Sequence, residues 1–255
     1  MITMKQNESL AETRAVFVLF AQKPNKTEQS PEYGFFCGGF YGRINENSKN
    51  AEGGRSMTNA PKTVLAIHDL PGFGRAALSV IVPVLSTLGV QTVALPTAVL
   101  STHTGGLGTP AKLANPGYGP AALEHYHRLG VKFDCIYSGY LADAAQAKLV
   151  EQAFELWPRA FKVVDPVLGD GGRLYSGLGA DMVPAMYSLC SKADLIVPNV
   201  TEAALLLGDP LPGVGSAEQA AAQAARLTRV APQVVVTGVT GIGGGRYIGC
   251  VGAAR

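Results

Sequence analysis

The chain has 255 residues, of which 47% are hydrophobic and 16% charged, and its formal net charge at pH 7 is +2. Such a chain can bury a full core as one large domain or two small ones, and its near-neutral charge, with no concentrated basic patch, argues against nucleic acid or an anionic membrane as a partner. The four cysteines form no C-x-x-C pair, and no apolar run reaches the roughly 18 residues that span a bilayer, which favours a globular protein of the reducing cytoplasm.

The first 56 residues differ in character from the rest of the chain. Only residues 15–21 are apolar there, and no helical or strand period persists, so most of this part is expected to be disordered or irregular. Met57 opens a short polar stretch directly before a clean strand, as an authentic start would. We therefore expect residues 1–56 to be an N-terminal extension, disordered or non-native, and residues 57–255 to be the folded domain. The alternative is an N-terminal arm that packs on a partner.

From residue 63 onward, strands alternate with helices. Strands are predicted at residues 63–68, 91–95, 133–137, 161–164, 194–197, 233–237 and 246–251. Helices are predicted at residues 76–88, 121–129, 143–156, 179–191, 200–207 and 216–230. Because the strands are apolar without alternation and helices separate them, the pattern indicates an α/β fold with a parallel sheet covered on both faces. Ligands of such sheets bind at the carboxyl ends of the strands, so the loops there form the candidate site.

Several common motifs are absent or weak. Residues 72–77 match the dinucleotide fingerprint G-x-G-x-x-A, but no Asp or Glu lies between Asp69 and Glu124 to bind a ribose. A turn that lets a ligand approach the backbone is the better interpretation. Neither a Walker P-loop nor a G-x-S-x-G elbow occurs. His125 and His127 lie two apart on a predicted helix and point in different directions, so they are interpreted as surface residues and not as metal ligands.

Polar residues at three strand ends could bind a ligand, although each also has a purely structural explanation. His103 lies in a Ser/Thr/Gly loop that could hydrogen-bond a polar aromatic molecule or simply form a turn. Asp165 begins a Gly-rich segment, where a carboxylate suits either Mg²⁺ or a turn before proline. Asn199 and Glu202 have the spacing of a capping box, which needs no ligand.

Taken together and in order, these segments resemble the pyridoxal/pyridoxamine kinases of the ribokinase superfamily. The likeness rests on residues 67–75, 95–97, 101–104, 138–141, 165–170 and 198–202, and it extends over nearly all of residues 62–250. The Ser-Gly-Tyr-Leu run at 138–141 and the His-Thr pair at 103–104 are more similar to the vitamin B6 kinases than to the related hydroxymethylpyrimidine kinases. The resemblance implies a three-layer αβα fold with a mostly parallel central sheet, and it suggests a homodimer.

The resemblance also implies a reaction and the residues that serve it. The γ-phosphate of ATP would pass to the 5′-hydroxymethyl group of pyridoxal, pyridoxamine or pyridoxine, with Mg²⁺ as cofactor, in the salvage of pyridoxal 5′-phosphate. The substrate pocket would be lined by Asp69, where the family often has Ser, and by Thr97, Ser101, His103 and Thr104. The ATP phosphates and Mg²⁺ would face Asp165 and Glu202 as metal ligands, with Asn199 beside them and Thr237 near the nucleotide.

One motif of the family is not found in the sequence. Family members carry Gly-x-Gly-Asp, in which a helix N-terminus holds the transferring phosphate and the Asp accepts the hydroxyl proton. No such motif occurs before Arg255, so no catalytic residue is named. We therefore expect a kinase that lacks its C-terminal part and is impaired. The alternatives are a hydroxymethylpyrimidine-type kinase and a non-catalytic protein that keeps the ligand pocket.

Overall fold

The computed structural model of the chain describes residues 15–22, 61–103, 107–114, 116–175, 177–212, 215–241 and 247–255. The strands are β1 (Ala15–Gln22), β2 (Thr63–Phe73), β3 (Gln91–Thr102), β4 (Lys112–Leu113), β5 (Cys135–Ser138), β6 (Phe161–Val164), β7 (Gly169–Asp170), β8 (Arg173–Leu174), β9 (Leu195–Ile196), β10 (Gln233–Gly241) and β11 (Tyr247–Ala254). The helices are α1 (Leu78–Thr87), α2 (Tyr118–Arg128), α3 (Ala144–Leu156), α4 (Met182–Cys190), α5 (Val200–Leu207) and α6 (Ala217–Leu227). Within these ranges, every helix is too short or too polar to cross a membrane.

The strands form one large sheet in the order β1-β11-β10-β9-β6-β5-β2-β3-β4, and β7 and β8 form a separate small hairpin. All neighbours from β10 to β3 run parallel, whereas β1, β4 and β11 each run antiparallel to the strand beside them. A parallel pair requires a crossover connection, which explains why helices separate these strands. The predicted α/β fold with a mostly parallel central sheet is confirmed.

The core lies between the sheet and the helices that cover it. Helix α3 shows the pattern, because its buried residues Ala147, Val150 and Phe154 recur at the spacing of one helical face. They pack into a cluster with buried strand residues such as Ile136 and Val164. Fully burying a side chain of this size contributes roughly 1.5–3 kcal/mol, so the faces that meet here hold the sheet and its helices together.

The helix ends follow the sequence closely. Asp143 caps α3 by accepting a hydrogen bond from the Gln146 amide, and Ser216 caps α6 by accepting one from the Gln219 amide. The capping box of Asn199 and Glu202 at the start of α5 is confirmed, since each side chain accepts from the backbone of the other. These caps satisfy N–H groups that have no partner within their own helix.

Strands β2 and β3 continue past their predicted ends, and this changes the setting of three candidate residues. The sequence predicted that β2 ends at residue 68 and β3 at residue 95, with loops beyond. Both strands continue as a parallel pair as far as Phe73 and Thr102, after a register shift between His68 and Leu70. Asp69, Thr97 and Ser101 therefore lie within paired strands, not in loops. Pro71 is tolerated because β2 has by then left its other neighbour β5, so no ladder bond is lost on that side.

The predicted N-terminal extension contains one described segment. Residues 15–22 form β1, whose backbone pairs antiparallel with β11 from Ala15 opposite Ala254 to Gln22 opposite Tyr247. The other residues of the extension lie outside the described ranges. The domain boundary at residues 56 and 57 stays a prediction.

Candidate functional site

A buried histidine and aspartate lie where β2 passes the carboxyl end of β5. The Nδ1 atom of His68 is 2.6 Å from the Oδ1 atom of Asp69, and both side chains are about nine-tenths buried. The backbone amide of Asp69 also approaches Nδ1, at 3.0 Å. A Cβ atom at Gly139 would overlap the His68 ring, so only glycine allows the β5 loop to come this close.

Tyr140 and Thr97 complete this side of the site. The Tyr140 amide approaches Nε2 of His68 at 3.4 Å, and the Thr97 hydroxyl donates to the Tyr140 carbonyl at 2.9 Å. Burial raises the pKa of the Tyr140 phenol, and the nearby charges of Asp69 and Asp143 raise it further. Tyr140 is therefore a neutral hydroxyl beside a carboxylate. The predicted residues Asp69 and Thr97 are brought together around it.

Ser101 lies on the extension of β3, and His103 follows directly after the end of that strand. The Ser101 hydroxyl accepts a hydrogen bond from the Ala111 amide at 2.9 Å, so it holds the chain that follows β3. The His103 ring lies over Gly74, which has a φ of 90° and no room for a Cβ atom. The sequence predicted that this turn lets a ligand approach the backbone, and in the structure the ring of His103 makes that approach. Thr104 lies outside the described residues.

The second half of the site contains Asp165, which directly follows β6, and Tyr137 on the neighbouring strand β5. The Tyr137 hydroxyl donates to Oδ2 of Asp165 at 3.2 Å, and the rings of Tyr137 and His68 lie 6.3 Å apart. Burial raises the pKa of Asp165 to about 6, although the charge of His68 and the bond from Tyr137 act in the opposite direction. His68 therefore links Asp69 to Asp165.

Glu202 is a second buried carboxylate on the same side of the sheet. Burial and then the negative charge of Asp165 raise the pKa of Glu202 to about 8, against the lowering effect of hydrogen bonds from the amides of Asn199, Leu168 and Gly169. Burial raises the pKa of both carboxylates, and the charge of Asp165 raises that of Glu202 further, so a cation bound beside them would stabilise their ionised forms.

Asn199 and Thr237 lie beside Glu202. The Asn199 side chain accepts from the amides of Thr201 and Glu202, both at 2.9 Å, and donates to the Gly169 carbonyl at 2.8 Å. It therefore ties the start of α5 to the β7 hairpin. Thr237 pairs with Asn199 in an isolated parallel bridge, and its amide donates to the Pro198 carbonyl at 2.8 Å.

A divalent cation at Asp165 and Glu202 would need ligands beyond these two side chains. No group of three or more His, Cys, Asp or Glu side chains in the described part of the chain could hold a metal ion by itself. Mg²⁺ commonly needs only one or two carboxylates, with waters and phosphate oxygens as its other ligands. Asp165 and Glu202, two carboxylates whose pKa values are both raised by burial, fit such a shared site.

Sequence reasoning missed three side chains that connect the predicted ones. His68 and Tyr140 lie in two of the segments on which the family resemblance rests, residues 67–75 and 138–141. The resemblance could therefore have indicated them as site residues. Tyr137 was part of an apolar strand prediction, and nothing in its spacing indicates that its hydroxyl reaches Asp165.

Comparison with known proteins identifies the family of the chain. Residues 85–247 match the model of the family described as Phosphomethylpyrimidine kinase. Pyridoxal kinase PdxY of Deinococcus radiodurans is 28% identical over 190 residues, which make up 69% of this chain and 61% of the relative. The chain spans between half and two thirds of the length of the curated relatives that it matches.

Solved structures share the fold. A Bacteroides thetaiotaomicron protein named for phosphomethylpyrimidine kinase and crystallised with pyridoxal is 38% identical, with a TM-score of 0.66 over 71% of this chain and 64% of that one. Pyridoxal kinase from Lactobacillus plantarum is 37% identical, with a TM-score of 0.64 over 77% of this chain and 73% of that one. The family match over more than half of the chain, together with these likenesses, shows that the chain belongs to the phosphomethylpyrimidine kinase family of the ribokinase superfamily, which it shares with pyridoxal kinases.

Proposed function

We propose that the chain carries the substrate and nucleotide pockets of a vitamin B6 kinase. The reaction is transfer of the ATP γ-phosphate to the 5′-hydroxymethyl group of pyridoxal, pyridoxamine or pyridoxine, in the salvage of pyridoxal 5′-phosphate. One observation carries this proposal: Asp69 and Asp165 lie at the same edge of the sheet, Asp69 against His68 and Asp165 against Tyr137, whose ring lies beside that of His68. Phosphoryl transfer depends mainly on alignment and on charge neutralisation, and such an arrangement can supply both.

The first half of the site is proposed to bind the ring of the substrate. A carboxylate, a phenol and a threonine hydroxyl lie together at Asp69, Tyr140 and Thr97. These groups can hydrogen-bond the ring nitrogen and hydroxyl of a substituted pyridine. Further contacts are assigned to Ser101, His103 and Thr104 on the resemblance alone. The pyridoxal in the Bacteroides thetaiotaomicron structure supports this choice of ligand.

The second half is proposed to bind Mg²⁺ and the ATP phosphates. Asp165 and Glu202 would hold the ion, and Asn199 and Thr237 would lie next to the nucleotide. A bound Mg²⁺ would neutralise phosphate charge and align the γ-phosphate. Before it binds, both carboxylates hold a proton more tightly than an ordinary carboxyl group does, because their pKa values are raised.

Ligand binding and phosphate transfer need different parts of the kinase. The 255 residues contain no Gly-x-Gly-Asp motif, which in the resembling kinases supplies the general base. We expect these residues alone to bind both ligands and to transfer phosphate slowly. The likeness to the family supports a homodimer, and the buried thiol of Cys190, which forms no disulfide, supports a reducing compartment such as the cytoplasm.

A hydroxymethylpyrimidine-type kinase is the second candidate. It is favoured by the description of the matching family model, whose match covers residues 85–247. The two candidates differ in the ring that enters the Asp69 pocket, not in the nucleotide half. A direct comparison of the two ligands therefore separates them.

The experiment is equilibrium dialysis of the full chain with pyridoxal, hydroxymethylpyrimidine and Mg·ATP. We expect pyridoxal to bind more tightly than hydroxymethylpyrimidine. Asp69→Asn should weaken pyridoxal about tenfold and leave Mg·ATP unchanged, and Asp165→Asn should do the reverse, because each removes a charge from one half only. Asp181→Asn, an exposed residue before α4, serves as the control.

The outcomes are distinct. Tighter binding of hydroxymethylpyrimidine would favour the second candidate. Binding of pyridoxal with no ATP turnover, even at high enzyme concentration, would favour a non-catalytic protein. No binding of either ring by the folded chain would overturn the proposal.

A further inference from the structure

The loop that follows β5, residues 139–142, is held by groups from three other elements. The Gly139 amide donates to the Ile67 carbonyl on β2 at 3.0 Å, and the Thr97 hydroxyl on β3 donates to the Tyr140 carbonyl at 2.9 Å. The third contact comes from α3 through Gln146. This loop carries Tyr140 and sets its position beside Asp69.

Gln146 uses both ends of its amide. The Oε1 atom accepts from the Ala142 amide at 2.7 Å, and the Nε2 atom donates to the Thr97 carbonyl at 2.8 Å. A carboxamide offers an acceptor and a donor in one planar group, and the two backbone partners fix which atom faces which side. Gln146 therefore bridges the loop to β3 directly.

A simpler explanation is that Gln146 only caps its helix. It is the third residue of α3, where Glu or Gln often bonds back to the start of the helix. However, the Gln146 backbone amide is already bonded to Asp143, and the side chain reaches Ala142, one residue before the cap. Capping would need only the acceptor oxygen. The donor bond to Thr97 spans 49 residues of sequence and has no part in the cap.

We propose that Gln146 is a positioning residue of the substrate pocket. Its amide sets the spacing between β3 and the loop, and so places the Thr97 hydroxyl and the Tyr140 phenol against the same ligand. This inference rests on the proposed function for the identity of that ligand. The expected consequence is selective, because Gln146 contacts neither Asp165 nor Glu202, and the nucleotide half should be unaffected.

The decisive variant is Gln146→Glu. It keeps an acceptor for Ala142 but loses the donor and places a carboxylate against the Thr97 carbonyl. Gln146→Leu removes both bonds. Gln152→Glu is the matched control, since Gln152 lies on the same helix, is half-buried, and makes no side-chain hydrogen bond within the described residues. The readouts are the dissociation constants of pyridoxal and Mg·ATP and the amide hydrogen exchange of the loop.

We expect Gln146→Glu to raise the pyridoxal dissociation constant about five- to tenfold and to leave that of Mg·ATP within about twofold. The Tyr140 amide should exchange faster in both variants at position 146. The Ala142 amide should exchange faster only in Gln146→Leu. The control should match the unmodified chain in every readout.

Other results would overturn the inference. Unchanged pyridoxal affinity and unchanged exchange in Gln146→Glu would show that the donor bond positions nothing. An equal loss for both ligands would show a general effect on stability. If the unmodified chain binds no pyridoxal, the proposed function fails, and exchange alone then decides: faster Tyr140 exchange in Gln146→Glu supports the bridge, and unchanged exchange rejects it.

Discussion

At the scale of single residues, His68 is the point where the two halves of the candidate site meet. Its Nδ1 atom contacts Asp69 at 2.6 Å, and its charge lowers the pKa of Asp165 against the larger effect of burial. Its ring also lies near Tyr137, which donates to Asp165. His68 therefore contacts the first half of the candidate site and lies beside the tyrosine that binds Asp165 in the second.

The bond from Tyr137 to Asp165 can be tested by Tyr137→Phe. Because a hydrogen bond to an ionised group is stronger than one to a neutral group, the loss should depend on the state of Asp165, whose pKa is about 6. We expect the free energy of unfolding to fall by about 1–2 kcal/mol at pH 8 and by less at pH 5. Urea unfolding at the two pH values measures this.

Tyr187→Phe is the control, because Tyr187 is 45% exposed on α4. An equal cost of Tyr137→Phe at both pH values would show that its hydroxyl does not stabilise the ionised form of Asp165.

The raised pKa of Glu202 predicts a pH dependence of stability. The folded value is about 8 and the reference value is 4.5, so between them the folded chain holds a proton that the unfolded chain has released. Stability of the metal-free chain should therefore fall as the pH rises from 5 to 8. Glu202→Gln should make this fall smaller, and urea unfolding in a chelating buffer measures the slope.

Glu155→Gln, an exposed change on α3, should leave the slope as it is. A slope that is the same with and without Glu202 would contradict the prediction. In Glu202→Gln, Asp165 should still make the stability fall as the pH rises, by a smaller amount, since its folded pKa is also raised.

At the scale of elements, helix α5 and the β7–β8 hairpin are joined by one side chain. Asn199 accepts from two amides of α5 and donates to Gly169 on β7. The hairpin has only two residues in each strand, so it depends on such outside bonds. The segment next to Asp165 is thus fixed by the cap of a helix that follows it by about 30 residues.

Asn199→Ala should therefore cost more than the loss of an ordinary cap. We expect about 2 kcal/mol, because three hydrogen bonds of the side chain are lost, whereas Ser216→Ala at the start of α6 should cost about 1 kcal/mol or less. Ser216 accepts a single bond, from the Gln219 amide at 3.2 Å. Urea unfolding compares the two variants, and equal costs would show that the bond to the hairpin contributes nothing.

At the scale of the whole molecule, the chain carries its own probe of unfolding. Trp157 is the sole tryptophan, is 6% exposed, donates to the Val131 carbonyl at 2.9 Å and lies 4.8 Å from the ring of Phe133. Its emission should shift to longer wavelength when the core opens. It reports on packing between α3 and the segment before β5.

We expect the unfolding transition of Trp157 fluorescence to coincide with that of far-UV circular dichroism, since the helices and the sheet share one core cluster. Mg·ATP or pyridoxal at about 100 times its dissociation constant should raise the free energy of unfolding by about 2.7 kcal/mol. Two separate transitions would show that the core does not unfold as one unit.

The sequence was sufficient for the parts of the fold that local patterns determine. Apolar runs and caps predicted which segments are strands and which are helices, and they predicted the capping box at Asn199 and Glu202. The extension of β2 and β3 was missed because prolines and glycines there indicate loops, and only pairing with the neighbouring strand stabilises them as strands. Proximity of Asp165 and Glu202 was predictable because both follow parallel strands of one sheet.

The connecting side chains of the site could not be predicted in the same way. The contact of His68 with Tyr140 joins residues 72 apart, and the bond of Gln146 with Thr97 joins residues 49 apart. No spacing along the chain encodes such bonds. They follow from which strands become neighbours, and therefore appear only once the order of the sheet is known.

The position of His68 has a practical consequence for magnetic resonance. The chain contains four histidines, so the imidazole nitrogens give a sparse spectrum. The ring of His68 contacts Asp69, which is proposed to bind the vitamin, and interacts electrostatically with Asp165, which is proposed to bind Mg·ATP. Its nitrogen resonances should move when either compound is added, so one signal can report binding at both sites without an attached label.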